Sequence, residues 1–138
     1  MHMDIRTLSP DFAVAPQITV EDVAALAQQG FTHVICNRPA FESAPHEGPD
    51  AIQAAAEAAG LGWTDNPLVM AEMSMDHVAA QKAPGKVLAY CASGTRSAML
   101  WALSQAGEME TDAIMSALEQ AGYPLAGLRG QIEMLAQR

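Results

Sequence analysis

Positive charge is scarce in this chain. Seven lysines and arginines stand against 16 aspartates and glutamates, for a formal net charge of -9, and a surface of that sign repels phosphate backbones and anionic bilayers. A nucleic-acid partner is therefore not expected. Long apolar runs are missing too: none approaches the roughly 20 residues that span a membrane, so no membrane segment is expected. The stretch Met1-His2-Met3-Asp4 lacks the charged and apolar regions of a secretory leader. A cytoplasmic location follows as the expectation. Cysteine is equally sparse. The two cysteines, Cys36 and Cys91, form no Cys/His cluster at zinc spacing, so no metal or other cofactor is expected. In a reducing compartment such thiols are more readily catalytic or inert than bridged. Internal repeats, linkers and low-complexity tracts are absent apart from an abundance of alanine.

What is present suffices for one domain over residues 1–138, since half of the residues are apolar and can bury a core without staples. Ile5, Leu8 and Phe12 to Val14 flank Ser9-Pro10-Asp11, a turn signal that predicts an N-terminal hairpin. Thr19 predicts a capped helix to Gln29, with Val23, Leu26 and Ala27 on one face and Gly30 as its stop. Phe31 to Cys36 has the β-branched, apolar composition of a buried strand, ended by Asn37-Arg38-Pro39. An exposed loop is expected from Ala40 to Pro49, a helix from Asp50 to Ala59, and an edge strand over Leu61 to Thr64. Ser74, Asp76 and His77 mark a helix start running to about Lys82, before Pro84-Gly85. Lys86 to Tyr90 reads as the central strand, Ser97 to Gln105 as a helix, and Thr111 to Ala121 as a helix capped by Thr111. Leu128 to Ala136 reads as a final helical piece. This alternation predicts an α/β fold, a mostly parallel sheet with helices on both faces, and ligands at the carboxyl ends of the strands.

At one of those ends lies Cys91-Ala92-Ser93-Gly94-Thr95-Arg96-Ser97. A strand, a small-residue loop and a helix start surround a thiol with amide dipoles and a guanidinium, a field that attracts anions and favours the thiolate. Cys91 is thereby the candidate nucleophile and Arg96 the candidate anion binder, with Ala92, Ser93, Gly94, Thr95 and Ser97 forming the loop. The plain alternatives are a buried inert cysteine and an arginine that merely pairs with a carboxylate. Ser97 either hydrogen-bonds the thiolate or simply starts the helix. Cys36 ends the neighbouring strand, where it is either a resolving thiol for Cys91 or a small core residue. Asn37 and Arg38 are candidates for the pocket rim or for an ordinary turn. His33 reads as a sheet residue, His46 and His77 as solvated, and Met70, Met73 and Met75 as core filling.

The loop resembles those of the cysteine-based phosphatase and rhodanese superfamilies. With Gly30 to Pro39, the region after Trp63 to Pro67, and Ala121-Gly122-Tyr123-Pro124-Leu125-Ala126-Gly127-Leu128-Arg129, the chain resembles the beta-lactamase hydrolase-like, phosphatase-like domain family, also described as a sulfur transferase family. The resemblance implies a protein-tyrosine-phosphatase-like α/β fold, and it implies a metallo-hydrolase or sulfide-oxidising partner. One departure carries weight. Phosphatases of this superfamily place five residues between cysteine and arginine, whereas four separate Cys91 from Arg96, the rhodanese-like length.

A smaller loop favours a persulfide sulfur or a small oxyanion. Phosphoester cleavage further needs an acid for the leaving alkoxide, for which Asp65 and Asp76 are the candidates, with Glu42 in the loop after Asn37. Sulfur transfer needs none, because the departing group is a stable anion. The expectation is a sulfurtransferase carrying a persulfide on Cys91, fed by a small sulfur-containing anion and emptied by a thiol acceptor. A cysteine-based phosphatase and a non-catalytic oxyanion-binding or redox module are the alternatives.

Overall fold

Proline and aspartate at Pro10 and Asp11 turn the chain between two short strands, β1 (Arg6–Ser9) and β2 (Phe12–Ala15), which pair antiparallel. The computed structural model describes residues 3–137; Met1 and His2, part of the stretch read for a leader, lie outside the described residues. Helix α1 (Val20–Gln28) begins where Thr19 accepts from the Asp22 amide at 3.1 Å, while the Asp22 carboxylate accepts from the Thr19 amide at 2.9 Å. That reciprocal cap satisfies two amides the helix itself cannot. After it come β3 (His33–Cys36), α2 (Pro49–Ala58), β4 (Gly62–Asp65), α3 (Met75–Ala79), β5 (Val87–Tyr90), α4 (Thr95–Ser104), α5 (Thr111–Gln120) and α6 (Arg129–Ala136).

The sheet has the order β1-β2-β5-β3-β4, with every pair but the first parallel. Its faces follow from the two-residue period of a strand. Val14, Ile35, Val87 and Ala89 turn to one side and pack with Leu100 and Trp101 of α4, Ile114 and Leu118 of α5, and Ile132 of α6. Ala15, Val34, Cys36, Leu88 and Tyr90 turn to the other and pack with Val23 and Leu26 of α1 and Ile52 and Ala56 of α2. The fold is the expected α/β arrangement, a mostly parallel sheet covered on both faces. No helix of the described residues is long and apolar enough to cross a membrane.

Several expectations are corrected locally. The segment after Pro39 is not a featureless loop: it forms short 3-10 turns at Ala40–Glu42 and Pro45–Glu47, each following or opening on a proline that presets φ. Helix α3 stops at Ala79 rather than near Lys82, and Gln81 turns inward instead. Helix α5 is flanked by Glu110 rather than capped by Thr111, with no side-chain cap. Met70 and Met75 are half exposed rather than core filling. His77 is engaged: its ring meets Ser74 Oγ at 3.0 Å and the Pro67 carbonyl at 3.0 Å.

Beneath the carboxyl ends of the strands lies a buried polar knot. Asn37 Nδ2 donates to the Asn66 carbonyl at 2.8 Å and to Gln81 Oε1 at 2.9 Å. Its Oδ1 accepts from Gln81 Nε2 at 2.7 Å and from Ser97 Oγ at 2.8 Å. Asn66 Nδ2 donates to the His77 carbonyl at 3.0 Å and to Gln81 Oε1 at 2.9 Å. Asn37, Gln81 and Ser97 are fully buried. The knot ties the ends of β3 and β4 and the segment after α3 to the first turn of α4. Asn37→Ala would leave the Ser97 hydroxyl without its acceptor and strip Gln81 of two of its buried hydrogen bonds, so a loss of about 3 kcal/mol is expected. Urea unfolding checks this: the midpoint should fall with the slope unchanged.

Candidate active site

Cys91 directly follows β5, and its amide donates to the Ala15 carbonyl at 3.4 Å, extending the ladder by one residue. The chain then turns through Ala92 and Ser93, both exposed, into Gly94, which holds a left-handed conformation with φ 92° as the cap of α4. Only glycine adopts this conformation without strain. A side chain here would also collide with the Tyr123 hydroxyl. The turn brings the Gly94 amide to 3.1 Å from Cys91 Sγ. The sulfur thus sits at the positive end of a ten-residue helix. Among the described residues the amides of Ala92 and Ser93 donate to no protein acceptor. Ser93 Oγ bonds Thr95 Oγ1 at 3.0 Å, which stiffens the loop from within.

Arg96 is held by one edge. Its Nη1 donates to Glu42 Oε2 at 3.0 Å and to the Leu68 carbonyl at 2.8 Å, and its Nη2 donates to Glu42 Oε1 at 2.7 Å. The remaining Nη2 hydrogen and the Nε hydrogen form the free edge of the guanidinium, since Arg carries five donors. The Arg96 hydrogen bond holds the Glu42 carboxyl below the usual carboxylate range. The same bond, and then the nearby Cys91, raise Arg96. Arg38 backs this pair. Its Nη2 donates to the Glu42 carbonyl at 2.8 Å, its Nη1 donates to Gln17 Oε1 at 3.0 Å, and its Nε lies 3.5 Å from Glu42 Oε1.

The other sequence candidates lie elsewhere. Ser97 does not face the thiol, because its hydroxyl donates to Asn37 in the buried knot. Asn37 is fully buried and so is no rim residue. Cys36 does not converge on Cys91. In register it pairs with Tyr90, and both side chains pack on the α1 and α2 face. Both cysteines are free, and Cys36 donates to the Arg38 carbonyl at 3.3 Å. Burial pushes the Cys36 thiol up. Asp65 pairs in register with Cys36 at the sheet edge, its carboxyl held above the ordinary range by desolvation and by Asp50. Asp76 lies exposed in the first turn of α3.

Sequence reasoning located Glu42 only as a loop carboxylate and missed Gln17, Asn66, Gln81 and Tyr123. Glu42 stands four residues after Arg38, a spacing that signals a helical-turn ion pair. The other four carry no local signal.

Residues 4–108 match the family described as beta-lactamase hydrolase-like protein, phosphatase-like domain. Over 130 residues the chain is 33% identical to the beta-lactamase hydrolase-like proteins of two Xylella fastidiosa strains, Temecula1 and 9a5c; the match takes in 89% of this chain and 30% of theirs. The chain therefore spans less than a third of the length of those relatives. A candidate phosphatase from Neisseria meningitidis Z2491, solved by crystallography, superposes with a TM-score of 0.80 at 30% identity, covering 97% of this chain and 99% of that one. The core catalytic domain of the PP-IP phosphatase SIW14 from S. cerevisiae shares the fold at 12% identity, with a TM-score of 0.66 over 95% of this chain and 84% of that one.

The Glu42–Arg96 pair has a pH signature. Because the folded-state pKa of Glu42 lies below its unfolded value, the pair's stabilisation is complete above the ordinary glutamate range, about pH 4.3. It is lost as pH falls through the folded value. Glu42→Gln should cost about 1 kcal/mol at neutral pH, given partial exposure and screening. The gap to the wild type should close below about pH 4, as read by denaturant midpoints across that range.

Proposed function

This chain belongs to the beta-lactamase hydrolase-like, phosphatase-like domain family and has a cysteine-based phosphatase fold, and from that premise we propose that it cleaves a phosphoester through Cys91. One observation carries the reading: the Gly94 amide 3.1 Å from Cys91 Sγ at the head of α4, with the free edge of Arg96 beside it. The thiolate attacks phosphorus, the bond to the ester oxygen breaks, and the phosphoryl group passes to sulfur. Water then releases phosphate and returns the thiolate. Loop amides and the Arg96 guanidinium hold the non-bridging oxygens, where charge develops in the transition state. Arg38 supports the loop's rim through Glu42.

The identity of the leaving group follows from the carboxyls. Glu42 is committed to Arg96 and stays ionised, so it has no proton to give. Asp65 does hold a proton more readily, but it lies exposed at the end of the edge strand β4, in register with Cys36, and hydrogen-bonds no residue of the loop. Asp76 makes no recorded bond to the loop and lies exposed on α3. The substrate class is therefore one whose leaving group departs as a stable anion: aryl phosphates, acyl phosphates or phosphoanhydrides.

Sulfur transfer is the second reading. It rests on the four residues between Cys91 and Arg96, a short loop suited to a persulfide, and it shares the independence from an acid. It would take a small sulfur-containing anion as donor and a thiol as acceptor, with a metallo-hydrolase or sulfide-oxidising protein as partner. The phosphatase reading ranks first because the family and the structural relatives are phosphatase-like.

Two assays on one preparation test the order. Turnover of p-nitrophenyl phosphate should exceed thiosulfate:cyanide sulfur transfer and fall by roughly 10³-fold or more in Cys91→Ser. The reverse ranking would promote sulfur transfer, and a reactive Cys91 without either activity would leave an oxyanion-binding or redox module. Across a series of phosphate esters, kcat/KM should drop steeply as leaving-group pKa rises. Asp65→Asn should change the rate less than about threefold, where a general acid would cost 10²-fold or more.

A further inference from the structure

Three side-chain polar atoms among the described residues are buried without a hydrogen-bond partner: Arg38 Nε, Tyr90 Oη and Tyr123 Oη. A buried donor left unpaired is costly; Arg38 Nε still lies 3.5 Å from Glu42 Oε1, whereas Tyr123 Oη has no such neighbour. Tyr123 stands next to the nucleophile's loop. It comes from the turn after α5 and is 5% exposed. Its hydroxyl fills the space that a side chain on Gly94 would need, beside the main chain of Ala15.

Those two neighbours are the residues that hold Cys91. Gly94 donates its amide to the sulfur, and Ala15 accepts the Cys91 amide. The Ser97 hydroxyl, which the sequence left open as a partner of the thiolate, is committed to Asn37. An unpaired hydroxyl, Tyr123 Oη, stands beside Gly94 instead.

We propose that the Tyr123 hydroxyl is the side-chain donor that stabilises the Cys91 thiolate, an inference that rests on Cys91 being the nucleophile. At rest the sulfur accepts from Gly94 and the phenol is not bonded to it; ionisation turns that sulfur into a much stronger acceptor, toward which the hydroxyl turns. The thiol proton leaves to solvent, while the phenol keeps its own and donates it only as a hydrogen bond. Burial holds Tyr123 above its ordinary value, which keeps that proton in place at neutral pH. Arg6 sharpens the donor. Its guanidinium lies 5.3 Å from the centroid of the Tyr123 ring, anchored by the Ala121 carbonyl at 2.9 Å and by Asp4 at 3.0 Å. A cation over the ring draws density from the phenol oxygen.

The other charged or titratable groups around Cys91 are Arg96 with Glu42 on α4 and the 3-10 turn, Cys36 on β3, and Arg6 with Asp4 behind Tyr123. Tyr123→Phe changes none of them and removes one oxygen.

The test is the pH dependence of iodoacetamide alkylation, read on the Cys91 peptide by mass spectrometry with the full chain. Tyr123→Phe should raise the alkylation midpoint by about one unit, roughly a tenfold loss of thiolate below both midpoints. Its Tm should stay level or rise, because only an unpaired hydroxyl is lost. A Tyr123 with a merely structural role would leave the midpoint unmoved. If Tyr123→Phe does not fold, Tyr123→Met, which keeps bulk without a hydroxyl, takes its place and should raise the midpoint by the same amount. A low midpoint shared by wild type and Tyr123→Phe overturns the role of Tyr123 alone. An ordinary thiol midpoint in the wild type overturns the nucleophile reading as well.

Discussion

The site depends on the amide of Asn37, a fully buried side chain whose oxygen and nitrogen each make two hydrogen bonds. It binds Gln81 through both its oxygen and its nitrogen, reaches the Asn66 carbonyl, and receives the Ser97 hydroxyl. Strand ends in a parallel sheet leave their backbone groups to loops, and loops are the mobile part of such folds. Here the ends of β3 and β4 and the first turn of α4 are joined by one buried side chain. A fully satisfied network of this kind fixes positions that apolar packing alone would leave to slide. Arg96 and Ser97 are adjacent, so fixing Ser97 also fixes the root of the arginine that faces the thiol.

Charge is distributed to the same end. The chain carries seven basic residues in all, and two of them, Arg38 and Arg96, meet around Glu42. Against a net charge of -9, an anion finds a favourable field chiefly where amide dipoles and a guanidinium converge, at the head of α4. Glu42 occupies one edge of Arg96 and leaves the other, so the carboxylate orients the cation without cancelling its reach toward an oxyanion. The bidentate form matters because a planar guanidinium held along one side cannot rotate. That clamp also keeps the Glu42 carboxylate ionised, so it has no proton to give. The proposed preference for a stable leaving anion, common to aryl phosphate cleavage and to sulfur transfer, rests on it.

Much of the architecture was legible along the chain. Thr19 with Asp22 announced α1, the β-branched run to Cys36 announced β3, and the apolar run to Tyr90 announced the central strand. The signals in each case are local backbone and side-chain preferences. The errors arose where a distant partner overrode a local preference. Gln81 left its helix because Asn37 and Ser97 offered it buried hydrogen bonds. Thr111 sits one residue inside its helix. The segment from Ala40 to Pro49 is largely exposed as expected, but it carries two short turns, and its Glu42 carboxylate finds a partner in Arg96 that only the fold supplies.

The sequence by itself determined the candidate nucleophile and its candidate anion binder, because Cys91, Gly94 and Arg96 lie within one turn and their offset is fixed by the chain's covalent geometry. It also determined the α/β alternation and the net acidity. Only the tertiary structure decided what surrounds them. Register and pleat place Cys36 with Tyr90 on the α1 and α2 face, and both cysteines are free, although adjacent strands made a thiol pair conceivable. Long-range contacts bring Glu42 to Arg96, 54 residues away, and set the Tyr123 hydroxyl against Gly94. No spacing rule reaches across such separations, since they are set by how helices pack on the sheet rather than by the period of any one element.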